Sequence, residues 1–166
     1  MRALAFARSV SEYVKTKGVS VDPWGLLLGL GFTRESPYIA LYHLERLGFV
    51  DNGKLTEKGR ELVDIALTLA NIIVEDSPGY WPSYSKVLGH ALYILVDWRT
   101  SMRSSEEALE YAKRLLKTLR RLKEEDEELY RDVMIRLPRY DFEDESDPLT
   151  LIKELRDVRE GARHRG

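Results

Sequence analysis

The chain has 166 residues, of which 43% are hydrophobic and 33% charged, with a formal net charge of −2 and no cysteine. This length allows one domain or two small ones, and the near-zero charge excludes binding to polyanions by bulk charge, so any nucleic-acid contact must come from a local patch. The lack of cysteine excludes disulfides, thiolate metal sites and cysteine nucleophiles. Many Arg and Glu residues without Cys are typical of thermophilic proteins.

The sequence contains no segment with the pattern of a signal peptide or a membrane span. The first residues carry charges every few positions, and the longest glycine-free apolar run, Ala91 to Val96, is far shorter than the ~18 residues that a span requires. We therefore expect a soluble, cytoplasmic protein that does not enter a membrane.

Helical periodicity begins near the start of the chain. Leu4 to Lys17 predicts a helix that Gly18 ends. Asp22 is a good N-cap for a short second helix that ends at Gly31. Ser36 is the predicted N-cap of a third helix, with Pro37 at its first position. Gly48 ends this third helix, whose apolar face contains Ile39, Ala40, Leu41, Leu44 and Leu47.

A very short hairpin follows the third helix. Two-residue strands, Phe49-Val50 and Lys54-Leu55, flank Asn52-Gly53, which is the strongest short-range hairpin signal. Thr56 then caps a fourth helix that we expect to extend to about Val74.

Composition changes at Glu75 to Ser83, where two prolines and a glycine predict a linker or an ordered loop. Tyr84 to Trp98 is apolar almost all round and predicts a buried helix. Ser104 and Glu107 form a possible capping box for a long helix that reaches roughly Arg136. We expect this helix either to break near Glu124 to Glu128, around Asp126, or to pack on a partner chain. A last helix is predicted from Leu149 to about Arg159, before a basic tail.

The run LYHLERLGFVDNGKLTEKGREL resembles the winged helix-turn-helix domains of transcription regulators, especially the PadR, MarR and ArsR-like families. The residues that carry the resemblance are Leu44, Gly48, Phe49, Val50, Leu55, Thr56 and Gly59. It covers about residues 1 to 74 and implies a recognition helix followed by a minimal two-stranded wing. The matching residues have structural roles, so they indicate a fold more than an activity.

The resemblance implies that the start of the third helix and the wing would contact DNA. The candidate DNA-binding residues are Arg34, Ser36, Tyr38, Tyr42, His43, Arg46 and Lys54. Among the residues at the exposed start of the helix, Ser36 to His43, only Ser36 is a usual base reader, whereas tyrosine can bond phosphates. Residues 1–75 hold nine Lys and Arg against nine Asp and Glu, so the salt-dependent part of DNA affinity should be small. The alternative is that the winged helix serves protein contact.

Further clusters each have a structural explanation beside a functional one. A basic row on the long helix is a solvated face, a set of ion-pair partners across a dimer or a second nucleic-acid surface. It contains Lys113, Lys117, Arg120, Arg121 and Lys123. The aromatic loop Tyr80 to Tyr84 either packs between subdomains or stacks on bases. His90, with Asp97 on the same face, is expected to be a neutral buried histidine. The acidic stretch Asp141 to Asp147 lacks the spacing of a calcium loop.

The sequence thus predicts a mainly α-helical protein with a winged helix-turn-helix domain at residues 1–75 and a helical region with one long helix at residues 80–166. We expect no enzyme activity, no cofactor and no metal site. The leading functional hypothesis is a transcription regulator that binds double-stranded DNA as a homodimer through its C-terminal helices. The alternative is a protein–protein interaction module in a larger nucleic-acid-processing assembly.

Overall fold

The computed structural model describes residues 2–31, 37–79, 81–96, 103–139 and 147–165, with the backbone alone for residues 163–165. In this part of the chain it has a two-stranded antiparallel sheet, one short 3-10 turn and eight α-helices. The predicted mainly helical architecture is confirmed. None of the described helices is both long and apolar enough to cross a bilayer. The elements in chain order are α1 (Arg2–Lys15), α2 (Pro23–Leu30), α3 (Tyr38–Arg46), β1 (Val50–Asp51), β2 (Lys54–Leu55), α4 (Glu57–Asp76), α5 (Tyr84–Val96), α6 (Ser105–Glu125), α7 (Glu127–Arg136), the 3-10 turn (Leu137–Arg139) and α8 (Pro148–Arg165).

Side-chain caps fix the starts of three helices, as the sequence predicts. The Asp22 carboxylate accepts a hydrogen bond from the Gly25 N–H at 2.9 Å, and the Thr56 hydroxyl accepts one from the Gly59 N–H at 3.1 Å. The Ser104 hydroxyl accepts from the Glu107 N–H at 3.2 Å. Each cap satisfies an N–H group that the first helical turn leaves without a partner.

The start of α3 differs from the prediction in one respect. Pro37 has helical backbone angles and occupies the cap position, and no side chain caps the helix. The predicted cap, Ser36, lies outside the described residues.

Two helices, α6 and α7, replace the predicted single long helix. The break is at Asp126, whose N–H donates to the Leu122 carbonyl at 2.8 Å and ends α6. The Asp126 carboxylate then accepts from the Leu129 N–H at 3.1 Å and caps α7. Aspartate is a poor helix-interior residue but a strong N-cap, so one residue both ends and restarts the helix. The structure therefore takes the first of the two predicted alternatives. The last helix, α8, continues to Arg165 rather than ending near Arg159.

The predicted long helix carries apolar residues at near-heptad spacing, which favoured a dimer, but this apolar seam is buried within one chain. Its residues are at most 3% exposed, and they are Ala112, Leu115, Leu119, Leu122, Leu129 and Val133. Packing of α4, α5 and α7 against α6 accounts for this burial. The homodimer remains a prediction, and the seam no longer supports it.

A close crossing joins α2 to α5. A Cβ atom added at Gly29 would overlap the backbone of Lys86, and one added at Gly89 would overlap the backbone of Leu26. The two helices can approach this closely only because neither position carries a side chain. The predicted domain boundary falls between α4 and α5, and a single buried cluster continues on both sides of it. The helix α5 therefore forms part of the support for α2 and α4.

Candidate nucleic-acid interface

Helix α3 is held by one buried face and by its C-terminal turn. Leu41 and Leu44 are at most 4% exposed on the core side. Gly48 has a φ of +88°, and the Phe49 N–H donates to the Leu44 carbonyl at 2.9 Å. This backbone reversal, which glycine adopts without strain, points the buried Phe49 ring into the core. The opposite face of α3 is thereby directed to solvent.

The exposed face of α3 carries a row of three side chains, which we name the α3 stripe. Tyr38 is 52% exposed, Tyr42 is 62% exposed, and Arg46 is exposed one turn further on. Their i, i+4, i+8 spacing places them on one side of the helix. Ile39 lies beside the stripe and is 43% exposed. The stripe therefore offers two phenol hydroxyls, two aromatic faces and one guanidinium.

His43 does not extend the stripe into solvent. Its ring is half-buried and meets the Tyr42 ring edge-on, with 5.3 Å between ring centroids and 66° between the planes. A neighbouring ring in this geometry restricts the motion of the Tyr42 side chain. His43 thus positions Tyr42 and presents little of its own ring to solvent.

Lys54 lies on the second strand of the hairpin that follows α3 in sequence. Asn52 and Gly53 have φ angles of 51° and 78°, as the predicted two-residue turn requires. Asp51 pairs with Lys54 across the strands, and both side chains are exposed. The Leu55 N–H donates to the Ser9 hydroxyl at 3.0 Å, which ties the hairpin to α1. A carboxylate therefore stands opposite the cation at the tip of the hairpin.

The structure brings together only part of the predicted site. Tyr38, Tyr42 and Arg46 share one helix face, and Lys54 lies on the hairpin that follows it. Arg34 and Ser36 lie outside the described residues. Glu45, the neighbour of Arg46 in sequence, pairs with Arg2 of α1 at 3.5 Å.

Two exposed residues on α2 were not anticipated from the sequence. Trp24 is 59% exposed and Leu28 is 65% exposed, four residues apart on the same helix face. The available signal was the composition of α2, PWGLLLGL, which has more apolar positions than one buried face can use. Large exposed apolar side chains on one face are typical of contact surfaces.

The aromatic loop and His90 form a buried structural cluster. Trp81 stacks on His90 with 5.8 Å between centroids, and His90 stacks on Tyr93 with 5.6 Å. The His90 Nε2–H donates to the Pro138 carbonyl in the 3-10 turn. Burial lowers the pKa of His90 to about 4, so the ring is neutral at physiological pH. The described part of the loop is thus packed against the core, while Tyr80 and Asp97 lie outside the described residues.

Acidic side chains in the described part of the chain serve as structural partners. Asp76, at the end of α4, accepts from Lys123 Nζ at 3.0 Å and from the Tyr130 hydroxyl at 2.5 Å. Asp147 caps α8 and accepts a hydrogen bond from the Tyr111 hydroxyl. No group of three or more His, Asp or Glu among the described residues is placed to hold a metal ion. Residues 141–146 of the predicted acidic stretch lie outside that part.

Comparison of the chain with protein-family models, with curated proteins and with solved structures finds no match in any of the three.

Proposed function

We propose that this protein binds double-stranded DNA as a winged helix-turn-helix transcription regulator. In this interpretation α2 and α3 are the helix-turn-helix, α3 is the recognition helix and the β1–β2 hairpin is the wing. The observation that carries the proposal is the α3 stripe: Tyr38, Tyr42 and Arg46 are exposed along a helix whose other face is buried. The hairpin with Lys54 follows this helix directly.

The side chains of the α3 stripe can form some of the contacts with bases and phosphates by which a helix recognises duplex DNA. An α-helix with its side chains is about 10–12 Å across, which fits the ~12 Å width of the major groove, and the nine residues of α3 give it a length of about 14 Å. Arg46 can donate two parallel hydrogen bonds to a guanine edge, and the tyrosine rings can make apolar contacts with base edges such as the thymine methyl group, while their hydroxyls donate to phosphates. Lys54 would contact the backbone from the wing. With so few cations on this face, we expect affinity to come mainly from shape and aromatic contact.

The experiment is a selection of duplexes from a random pool, followed by fluorescence anisotropy with the selected sequence. The variant Tyr38→Ala/Tyr42→Ala should lose part of the preference for that sequence over the pool. The matched control Ile135→Ala/Val158→Ala removes two side chains that are 47% and 70% exposed on α7 and α8. This control should bind as the wild type does, whereas a wild type with no sequence preference would overturn the proposal.

A second candidate function, a winged-helix protein–protein interaction module within a nucleic-acid-processing assembly, is favoured by the exposed apolar residues. Trp24 and Leu28 on α2 accompany Tyr38, Ile39 and Tyr42 on α3. Aromatic anchors of this size commonly carry the binding energy of protein interfaces.

The two functions separate in a pull-down from native lysate with and without nuclease, using Trp24→Ser/Leu28→Ser as the probe variant. A protein partner that survives nuclease and is lost in this variant supports the module. Unaltered recovery of every partner by the variant counts against it.

A further inference from the structure

The middle of α6 carries the densest positive charge in the chain. Between Tyr111 and Lys123 there are six Lys and Arg residues and no Asp or Glu, although the whole chain has a net charge of −2. Lys123 is paired with Asp76 at 3.0 Å. We name the other five the basic ridge, and all are exposed: Lys113, Arg114, Lys117, Arg120 and Arg121.

The basic ridge occupies one side of α6. At 100° per residue its five members fall within about 120° of the helix circumference and span about 12 Å along the axis. The acids on α6 are confined to its two ends, at Glu106, Glu107 and Glu110 and at Glu124 and Glu125. The ridge is therefore a continuous cationic surface between two acidic ends.

None of the five ridge cations forms an ion pair with a carboxylate in the part of the chain that the structure describes. Arg120 and Glu124 have the i, i+4 spacing of a helix pair but do not meet. Some exposed cations elsewhere are paired, as Arg131 is with Glu127 at 3.0 Å. Lys113 and Lys117 carry like charges at i, i+4 spacing, and so do Lys117 and Arg121. Each such like-charge pair destabilises a helix by about 0.2–0.5 kcal/mol. The like-charge pairs within the ridge therefore disfavour the helix.

The surroundings of the ridge favour a phosphate backbone over a protein or a bilayer surface. No large hydrophobic side chain of α6 is exposed, whereas protein interfaces and membrane-surface helices use apolar anchors. The ~12 Å length of the ridge equals the distance over which one strand of a duplex presents three to four phosphates. Flexible cations without base-reading neighbours suit contacts that do not depend on sequence.

We propose that the basic ridge is a second nucleic-acid surface, which binds the phosphate backbone of duplex DNA independently of sequence. The inference rests on the proposed function in that both name duplex DNA as the binding partner, but it assigns binding to α6 and not to the α3 stripe. It assigns the salt-dependent part of the affinity to α6, because the α3 stripe and wing hold few cations. Each surface can therefore fail without the other.

The test measures the salt dependence of binding by the full-length chain to a labelled random-sequence duplex. The variant Lys113→Gln/Lys117→Gln/Arg121→Gln removes three ridge charges and keeps good helix formers. The control Lys15→Gln/Arg136→Gln/Lys153→Gln removes three exposed charges from α1, α7 and α8. Both variants have the same net charge, so any difference between them reflects position.

The ridge variant should lower the slope of log K against log salt by about 2.7, since each phosphate contact contributes about 0.9. Between about 50 and 200 mM salt, the wild type should therefore lose about 40-fold more affinity than the ridge variant. The control should keep the wild-type slope. Equal slopes for the two variants would overturn the inference, as would binding to phosphatidylserine vesicles in place of the duplex.

Failure of the ridge inference and failure of the proposed function give different experimental results. The uncharged change Tyr38→Ala/Tyr42→Ala should keep the wild-type salt slope on the random duplex while it weakens the preference for a selected sequence. If the wild type shows no sequence preference but the ridge variant still loses slope, the proposed function fails and the ridge inference holds.

Discussion

Gly29 of α2 and Gly89 of α5 each lie against the backbone of the opposite helix, so the two helices cross in direct contact. Gly25 takes part in the same crossing, since a Cβ atom at this position would lie 2.8 Å from the Ser85 Cβ. The Ser85 hydroxyl also accepts a hydrogen bond from the Asp22 N–H at 2.8 Å. The helix that precedes the α3 stripe is therefore fixed by a helix from the second half of the chain.

Substitution at this crossing should destabilise the protein. Gly89→Ala places a methyl group against the Leu26 carbonyl, and we expect the free energy of unfolding to fall by about 2 kcal/mol or more because the helices must separate. Urea denaturation measures the change. Gly161→Ala on α8 is the control, because a Cβ atom there meets nothing within 4 Å. The control should stabilise the protein by up to about 1 kcal/mol, as alanine does in an open helical position. Equal stability of Gly89→Ala and the wild type would contradict the crossing.

Acidification should weaken the fold through His90. Its pKa is about 4 in the folded protein, and the unfolded value is about 6.5. Between these values the unfolded chain binds more protons, so the stability present above about pH 6.5 is lost progressively as the pH falls towards 4. The loss should approach about 3 kcal/mol. Urea denaturation of the wild type and His90→Gln checks this, since carboxylates contribute alike to both. An NMR titration in which the His90 ring protonates near pH 6.5 would contradict it.

Asp76 contacts Lys123 of α6 and Tyr130 of α7. We expect the hydrogen bond with Tyr130 to contribute more to the free energy of unfolding than the ion pair with Lys123. Burial opposes ionisation of Asp76, but the hydrogen bonds from Tyr130 and Lys123 outweigh it and lower the pKa of the carboxyl. Tyr130 is 5% exposed, so Tyr130→Phe should cost about 1–2 kcal/mol. The Lys123 side chain is 54% exposed, so solvent screens its ion pair with Asp76 and Lys123→Gln should cost less stability than Tyr130→Phe. Thermal or urea unfolding of both variants tests the order, and a greater loss in Lys123→Gln would reverse it.

Local chemistry made much of the fold predictable. The caps at Asp22, Thr56 and Ser104, the reversal at Gly48 and the Asn52-Gly53 turn depend on residues close in sequence, and each is present in the structure. The break at Asp126 was one of two predicted alternatives, the other being a continuous helix packed on a partner chain. The sequence left both open because the apolar periodicity of the helix continues on both sides of Asp126. Sequence reasoning therefore located the ends of helices better than their partners.

Contacts between distant residues were not predictable from local patterns. Gly25 and Gly29 on α2 are four residues apart, and so are Ser85 and Gly89 on α5. This spacing of small residues is typical of close helix crossings, but it does not tell which helix packs against which. The exposure of Trp24 and Leu28 depends on which face of α2 the helix α5 covers. For the candidate site, the sequence indicated Tyr38, Tyr42 and Arg46, whereas the half-burial of His43 follows from tertiary packing.

The most direct test of DNA recognition by the α3 stripe is fluorescence anisotropy with a duplex selected by the wild-type chain. We compare the wild type, Tyr42→Phe, Arg46→Gln and Tyr38→Ala/Tyr42→Ala on the selected duplex and on the random pool. The account predicts that the double variant loses the part of the preference that comes from the two aromatic rings and that Arg46→Gln loses about 1–3 kcal/mol of discrimination at one base pair. A stripe variant that retains the full wild-type preference would contradict the account.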